Sequence, residues 1–141
     1  MRISSDSSGN VYVTGKVYGG LDSNNHYGKY DLFIVKYNYS GTKLWTKQLG
    51  SSKDDFANGV ATDSSGNVYV AGKTTGGLDG NSGAGSSDLI VVKYDSSGMK
   101  QWTQQLGTSI NDIAYGVATD SSGNVYLAGR TLGALDGNSH S

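Results

Sequence analysis

The feature that most constrains this chain is a repeat of 57 residues. The string DSSGNVY begins at Asp6, Asp63 and Asp120. DLFIVKY begins at Asp31 and DLIVVKY at Asp88, and Trp45 and Trp102 keep the same spacing. The tripeptide QLG closes both copies, and GVATDSSGNVY occurs at Gly59 and Gly116. No insertion breaks the register. Over the 22 residues from Asp63 to Ala84, 16 are identical 57 positions later. A repeat of this length is one supersecondary unit that buries its apolar surface only against a neighbour.

Within one period the pattern predicts four strands. Strand A covers 57–62, strand B 67–74, strand C 88–94 and strand D 100–106. The turns Asp63-Ser64-Ser65-Gly66 and Asp95-Ser96-Ser97-Gly98 fit a type I turn ending in a glycine at positive φ, the geometry of a short hairpin. A Gly-rich loop joins B to C. The continuous Leu-Ile-Val-Val run of strand C predicts burial on both faces. Composition agrees with short strands and tight turns: 22 Gly, ten Tyr, no Pro, and twelve acidic residues that are all Asp, a turn former where Glu would favour helices. No 3.6-residue periodicity supports a helical repeat. A β-solenoid is the main rival, but its coils are shorter and hairpin turns do not suit it. The expected fold is all-β: four-stranded antiparallel propeller blades, about two and a half of them. Blade one spans 2–50, blade two 54–107 and a half blade 111–141.

The succession GVATDSSGNVYVAG, DLIVVKYDSSG and QWTQQLG resembles the bacterial SBBP family of β-propeller repeats, and is also similar to NHL-type blades. The resemblance covers the whole chain and recurs in phase. It implies strand A innermost, strand D outermost, no general enzymatic activity, and a setting outside the cell or on the bacterial surface. Propellers have several blades, so the resemblance also implies further blades. The N-terminal Met-Arg-Ile-Ser-Ser lacks the apolar segment of a secretory signal, so a signal is expected to have been removed or to belong to a longer chain.

A half blade would expose the edge of its strand B. Three outcomes are open: continuation into a longer propeller, a composite ring of several copies, or pairing of strand B with strand B of a second copy. Heterologous contacts that do not close would give fibres.

Few residues suggest chemistry. The B–C loops carry Asp22, Asp79, Asn81 and Asp136, and Asp79 and Asn81 with Asp88 place oxygen ligands at alternating positions, like the start of a calcium loop. The bidentate Glu of such a loop is missing, and the simpler expectation is that these residues bond their own backbone. His26 and His140 share a repeat position and are expected to be solvated loop residues. Asp54 and Asp55 are adjacent; on a strand they point to opposite faces, and a turn or exposed pair is expected. Tyr12, Tyr69 and Tyr126 share a position in strand B, and Trp45 and Trp102 one in strand D. These aromatics either fill the wedge between blades or face a ligand, with Trp the better candidate for an exposed contact.

There is no Cys, and net charge is −1 with scattered basic residues, so no disulfides, no thiol chemistry and no basic face for nucleic acid are expected. No apolar run is long enough to span a membrane. Since no constellation is unique to one blade, catalysis is not expected. The expected role is a structural or interaction scaffold, self-associating through open blade edges or joined to the rest of a longer propeller. The alternative is a multivalent glycan-binding module with equivalent sites in each blade.

Overall fold

The computed structural model describes residues 1–138, and all of its regular structure is strand. Strands β1 (Arg2–Ser5), β2 (Val11–Val17), β3 (Asp31–Tyr37) and β4 (Lys43–Leu49) form one antiparallel sheet in that order. Strands β5 (Asp55–Thr62), β6 (Val68–Thr74), β7 (Asp88–Tyr94) and β8 (Lys100–Leu106) form a second. Strands β9 (Asp112–Thr119) and β10 (Val125–Thr131) form a two-stranded third. The two four-stranded sheets are propeller blades, with β1 and β5 at one edge as strand A and β4 and β8 at the other as strand D.

The first strands of the second and third sheets are longer than the sequence suggests. β5 begins at Asp55 and β9 at Asp112 because a bulge extends the pairing with the next strand. The register shifts between Ala57 and Gly59 in β5, and between Ala128 and Gly129 on β10, opposite Ala114 and Gly116. The extra residue of a bulge leaves the ladder and is re-aimed. Asn58 is that residue in β5, and its Nδ2 donates to the Ala114 carbonyl of the next blade at 3.0 Å. Asp55 is consequently not part of an exposed pair, contrary to expectation: it is fully buried at the strand start.

The A–B turns form as expected. In the second blade the Gly66 amide donates to the Asp63 carbonyl at 3.1 Å, with Gly66 at φ 79°, a conformation that a side chain would strain. Both Asp63 carboxylate oxygens are used. Oδ1 accepts from the Ser65 and Asn67 amides, and Oδ2 from Asn67 Nδ2 at 2.8 Å and Tyr69 Oη at 3.0 Å. Asp6 and Asp120 repeat the pattern with Tyr12 and Tyr126. Desolvation pulls the Asp63 pKa up, but these bonds outweigh it and hold the carboxyl below its ordinary 3.8.

The blades pack flank to flank. Leu32 and Ile34 of β3, Val60 of β5, Val68 and Val70 of β6, and Ile90 and Val92 of β7 share one core. Blade-to-blade polar bonds also repeat: Thr62 Oγ1 donates to the Ser5 carbonyl at 3.2 Å, and Thr119 Oγ1 to the Thr62 carbonyl at 2.8 Å. The Asp55 amide donates to the Tyr30 carbonyl, and the Asp112 amide to the Ser87 carbonyl.

Asp63→Ala should remove the turn's acceptor and leave the Tyr69 hydroxyl without its partner, costing about 1–3 kcal/mol in urea unfolding. Because the folded carboxyl is the stronger acid, its contribution is present above the unfolded value and is lost as the pH falls below about 3.8. Wild type should therefore lose stability on acidification over that range more steeply than Asp63→Ala.

Candidate functional site

The B–C loops are clamped by residues that the repeat contained but sequence reasoning passed over. Gln105 of β8 reaches back with both ends of its amide. Its Oε1 accepts from the Leu78 amide at 3.0 Å, and its Nε2 donates to the Gly76 carbonyl at 3.0 Å and Asp88 Oδ2 at 2.7 Å. Gln48 does the same with the Leu21 amide, the Gly19 carbonyl and Asp31. Asp31 and Asp88 are buried, and each also caps its loop through a backbone amide, Tyr27 and Ala84 respectively. The signal for this lay in the QLG tripeptides, whose Gln is repeated although it sits on an outer strand.

Three of the candidate metal ligands, Asp22, Asp79 and Asn81, have partners of their own. Asp79 pairs with Lys100 Nζ at 2.5 Å and accepts from the Thr103 hydroxyl, while Asp22 pairs with Lys43 Nζ at 2.5 Å and accepts from Thr46. The Lys43 ammonium, helped by Thr46, holds the Asp22 carboxyl below its usual range. Asn81 turns back on itself, its amide and Nδ2 both donating to the Leu78 carbonyl. Asp79 and Asp136 sit at φ 53° and 50° in equivalent turns. Among the described residues, no three His or Asp side chains gather as a metal would need. Metal binding at Asp22 or Asp79 would compete with an ion pair. His26 Nδ1 lies 3.2 Å from Asp31 Oδ2; His140 lies outside the described residues.

The aromatics of strands B and D form the seam between blades. The Trp45 and Tyr12 rings are 6.1 Å apart, and Trp102 and Tyr69 6.0 Å. Trp45 continues across the boundary to Tyr94 of β7 at 6.5 Å. The β7–β8 turn of the second blade sits on it: Trp45 Nε1 points at the Ser96 carbonyl at 3.4 Å, and Lys36 Nζ donates to the same carbonyl at 3.0 Å. Gly98, at φ 84°, fits there because a Cβ would lie 2.9 Å from the indole. Trp102 has no such turn over it among the described residues.

The third sheet shows what the missing cover does. Tyr12 and Tyr69 are 0% and 2% exposed, whereas Tyr126 is 57% exposed with the same bond to its turn aspartate. Leu127, Leu132 and Tyr115 are also open. Tyr115 occupies the bulge position that Asn58 uses to reach the next blade. An apolar groove of about 240 Å³, lined by Leu89, Leu106, Ala114, Leu127 and Leu135, runs along the outer side of β10. Its counterparts of Leu127 and Leu135 in the second blade are Val70 and Leu78, both fully buried. The groove is therefore the seat that β7 fills in a complete blade. The sequence-predicted aromatics are thus split: Trp45, Tyr12 and Tyr69 are packed in the seam, Trp102 is half covered, and Tyr126 lies on the open edge.

A model of the SBBP β-propeller repeat matches residues 44–79 and 101–135, together half of the chain. The chain belongs to the SBBP β-propeller repeat family. Each SBBP match starts on an outer strand and runs through the first two strands of the next blade, so the family unit straddles the blade boundary that Trp45 seals. Curated relatives include an uncharacterized WD repeat-containing protein of Acanthamoeba polyphaga mimivirus, 32% identical over 116 residues. That match covers 70% of this chain and 8% of the relative. The regulatory protein FlaEY of Caulobacter vibrioides is 31% identical over 145 residues, covering 93% of this chain and 15% of the relative. The chain thus spans a small part of the length of each. The family and the WD repeat-containing relative both point to a repeat architecture, of the kind that serves as scaffold or interaction module.

Because Trp45 is covered from both blades and Trp102 from one, Trp45→Ala should destabilise the chain by more than Trp102→Ala. The larger cost approaches the roughly 3–5 kcal/mol of a buried aromatic truncation, read by chemical denaturation.

Proposed function

We propose that this SBBP segment is a non-catalytic interaction scaffold that joins further propeller blades, in a longer chain or in a second copy, through the open edge of β10. The observation that carries this reading is the contrast between Tyr69 and Tyr126, the same residue in the same strand at 2% and 57% exposure. An unpaired strand edge beside an apolar groove is a template for another strand. Two complete blades in the same molecule supply the pattern of what fits. β6 pairs with β7 from Val68↔Tyr94 to Thr74↔Asp88, so in a longer chain β10 would take a strand of the DLIVVKY type in the same register. In a second copy β3 and β7 are already paired on both edges, so that copy would bring its own open strand, β10, to pair with this one. A β10–β10 contact uses the same surface on both copies and closes as a dimer. A setting outside the cell or on the bacterial surface belongs to the same reading and rests on the SBBP resemblance.

Light scattering over a concentration series tests the association. The wild-type chain should gain mass with concentration, and Leu127→Lys, which puts a charge into the groove, should shift that dependence to concentrations roughly tenfold higher or more. A constant monomer mass for the wild type would overturn self-association.

A further inference from the structure

An aromatic platform lies where the first blade meets the second, and the next seam lacks it. His26, Tyr18, Tyr30 and Phe56 form a continuous run. The His26 and Tyr18 rings are 5.6 Å apart, Tyr18 and Tyr30 5.6 Å apart edge to face, and Tyr30 and Phe56 6.0 Å apart and stacked. One repeat later these positions hold Gly83, Thr75, Ser87 and Ile113. The corresponding seam between the second blade and the third sheet forms with none of these rings, the Asp112 amide donating to the Ser87 carbonyl as the Asp55 amide does to that of Tyr30, so the fold does not require them. Tyr18 is nevertheless 73% exposed. A large exposed aromatic surface confined to one of two otherwise matching units is a mark of binding.

The charge around the platform is positive. Lys16 Nζ stands 4.4 Å from the Tyr30 ring centre and 4.7 Å from that of Phe56, and the Lys16 side chain is exposed. Lys29 and Lys53 are exposed too, and their backbones meet, the Lys29 amide donating to the Lys53 carbonyl at 3.3 Å. Their counterparts in the second blade, Ser86 and Ile110, are uncharged. Of the acidic residues in this region, Asp31 and Asp55 are fully buried and Asp54 is half-buried. A polar fringe is present as well: Asn25 Nδ2 donates to Tyr27 Oη at 3.2 Å.

We infer that this platform binds an acidic saccharide, with a sugar ring stacked on Tyr18 and its carboxylate met by Lys16, Lys29 and Lys53. An amphipathic ring with an apolar face and a polar rim matches exposed tyrosine, and the lysines supply the complementary charge. The Tyr18 ring is inclined by 56° to His26 and 66° to Tyr30, so the platform offers one open face for a single ring. A run of stacked nucleobases would need successive aromatic faces along the strand. The site is single and belongs to the seam between the first two blades, unlike the equivalent sites in every blade that a multivalent lectin would have. It does not rest on the open edge of β10.

The test is a nuclear magnetic resonance titration of the 141-residue chain with tetragalacturonate, and in parallel with cellotetraose, a neutral oligosaccharide of the same length. Saturable shifts around Tyr18, Tyr30 and Lys16 with tetragalacturonate, and much weaker ones with cellotetraose, are expected. Tyr18→Thr combined with Tyr30→Ser installs the second blade's own residues, so the fold is kept; it should weaken binding roughly tenfold or more. Lys16→Gln should reduce the preference for the acidic sugar, and Leu127→Lys should bind like wild type. No saturable shifts with tetragalacturonate, shifts located elsewhere, equal binding of cellotetraose, or unchanged binding by the double variant would each overturn the inference.

Discussion

Each blade of this protein is half of a core, and the neighbouring blade supplies the other half. A four-stranded sheet with one flank uncovered leaves its apolar residues in water, and burial of that flank is the dominant favourable term. Several of the repeated features serve this contact. The Asp63 turn fixes Tyr69, Tyr69 and its equivalent Tyr12 support the tryptophans, and Trp45 presents a surface on which the next blade's Gly98 turn rests. Asn58, thrown out of its ladder by a bulge, ties the second blade to the third sheet near their inner strands.

The same constraint explains why the third sheet differs from the first two although its residues are nearly identical. Tyr126 keeps its bond to Asp120, and Leu127 and Leu135 keep their places, yet the groove between them stays open. Local sequence builds the hairpin, while burial depends on a strand supplied from beyond it. An interaction function is thus a direct extension of how the blades hold together, with no new chemistry required.

Much of this was legible in the 57-residue period. The period places the strands, the DSSG turns require glycine at positive φ, and the Leu-Ile-Val-Val run of β7 has the burial that its lack of alternation implied. Other features were hidden for physical reasons. Asp55 sits in a polar dipeptide that reads as exposed, and only the bulge that lengthens β5 carries it inside. The ion pair of Asp79 with Lys100 follows only from where the fold places the outer strand. The platform of Tyr18, His26, Tyr30 and Phe56 draws on a strand end, a loop and the next blade. Those residues share no motif and are visible only as departures from the repeat, once the fold has placed them together.

Hydrogen–deuterium exchange of the β10 amides across a concentration series tests the central claim most directly. The account predicts that the outward-facing amides of β10 exchange quickly in dilute solution and become protected as concentration rises, approaching the protection of the matching amides in β6. Fast exchange along β10 at every concentration, with β6 protected throughout, would contradict the claim that its open edge recruits another copy of the chain.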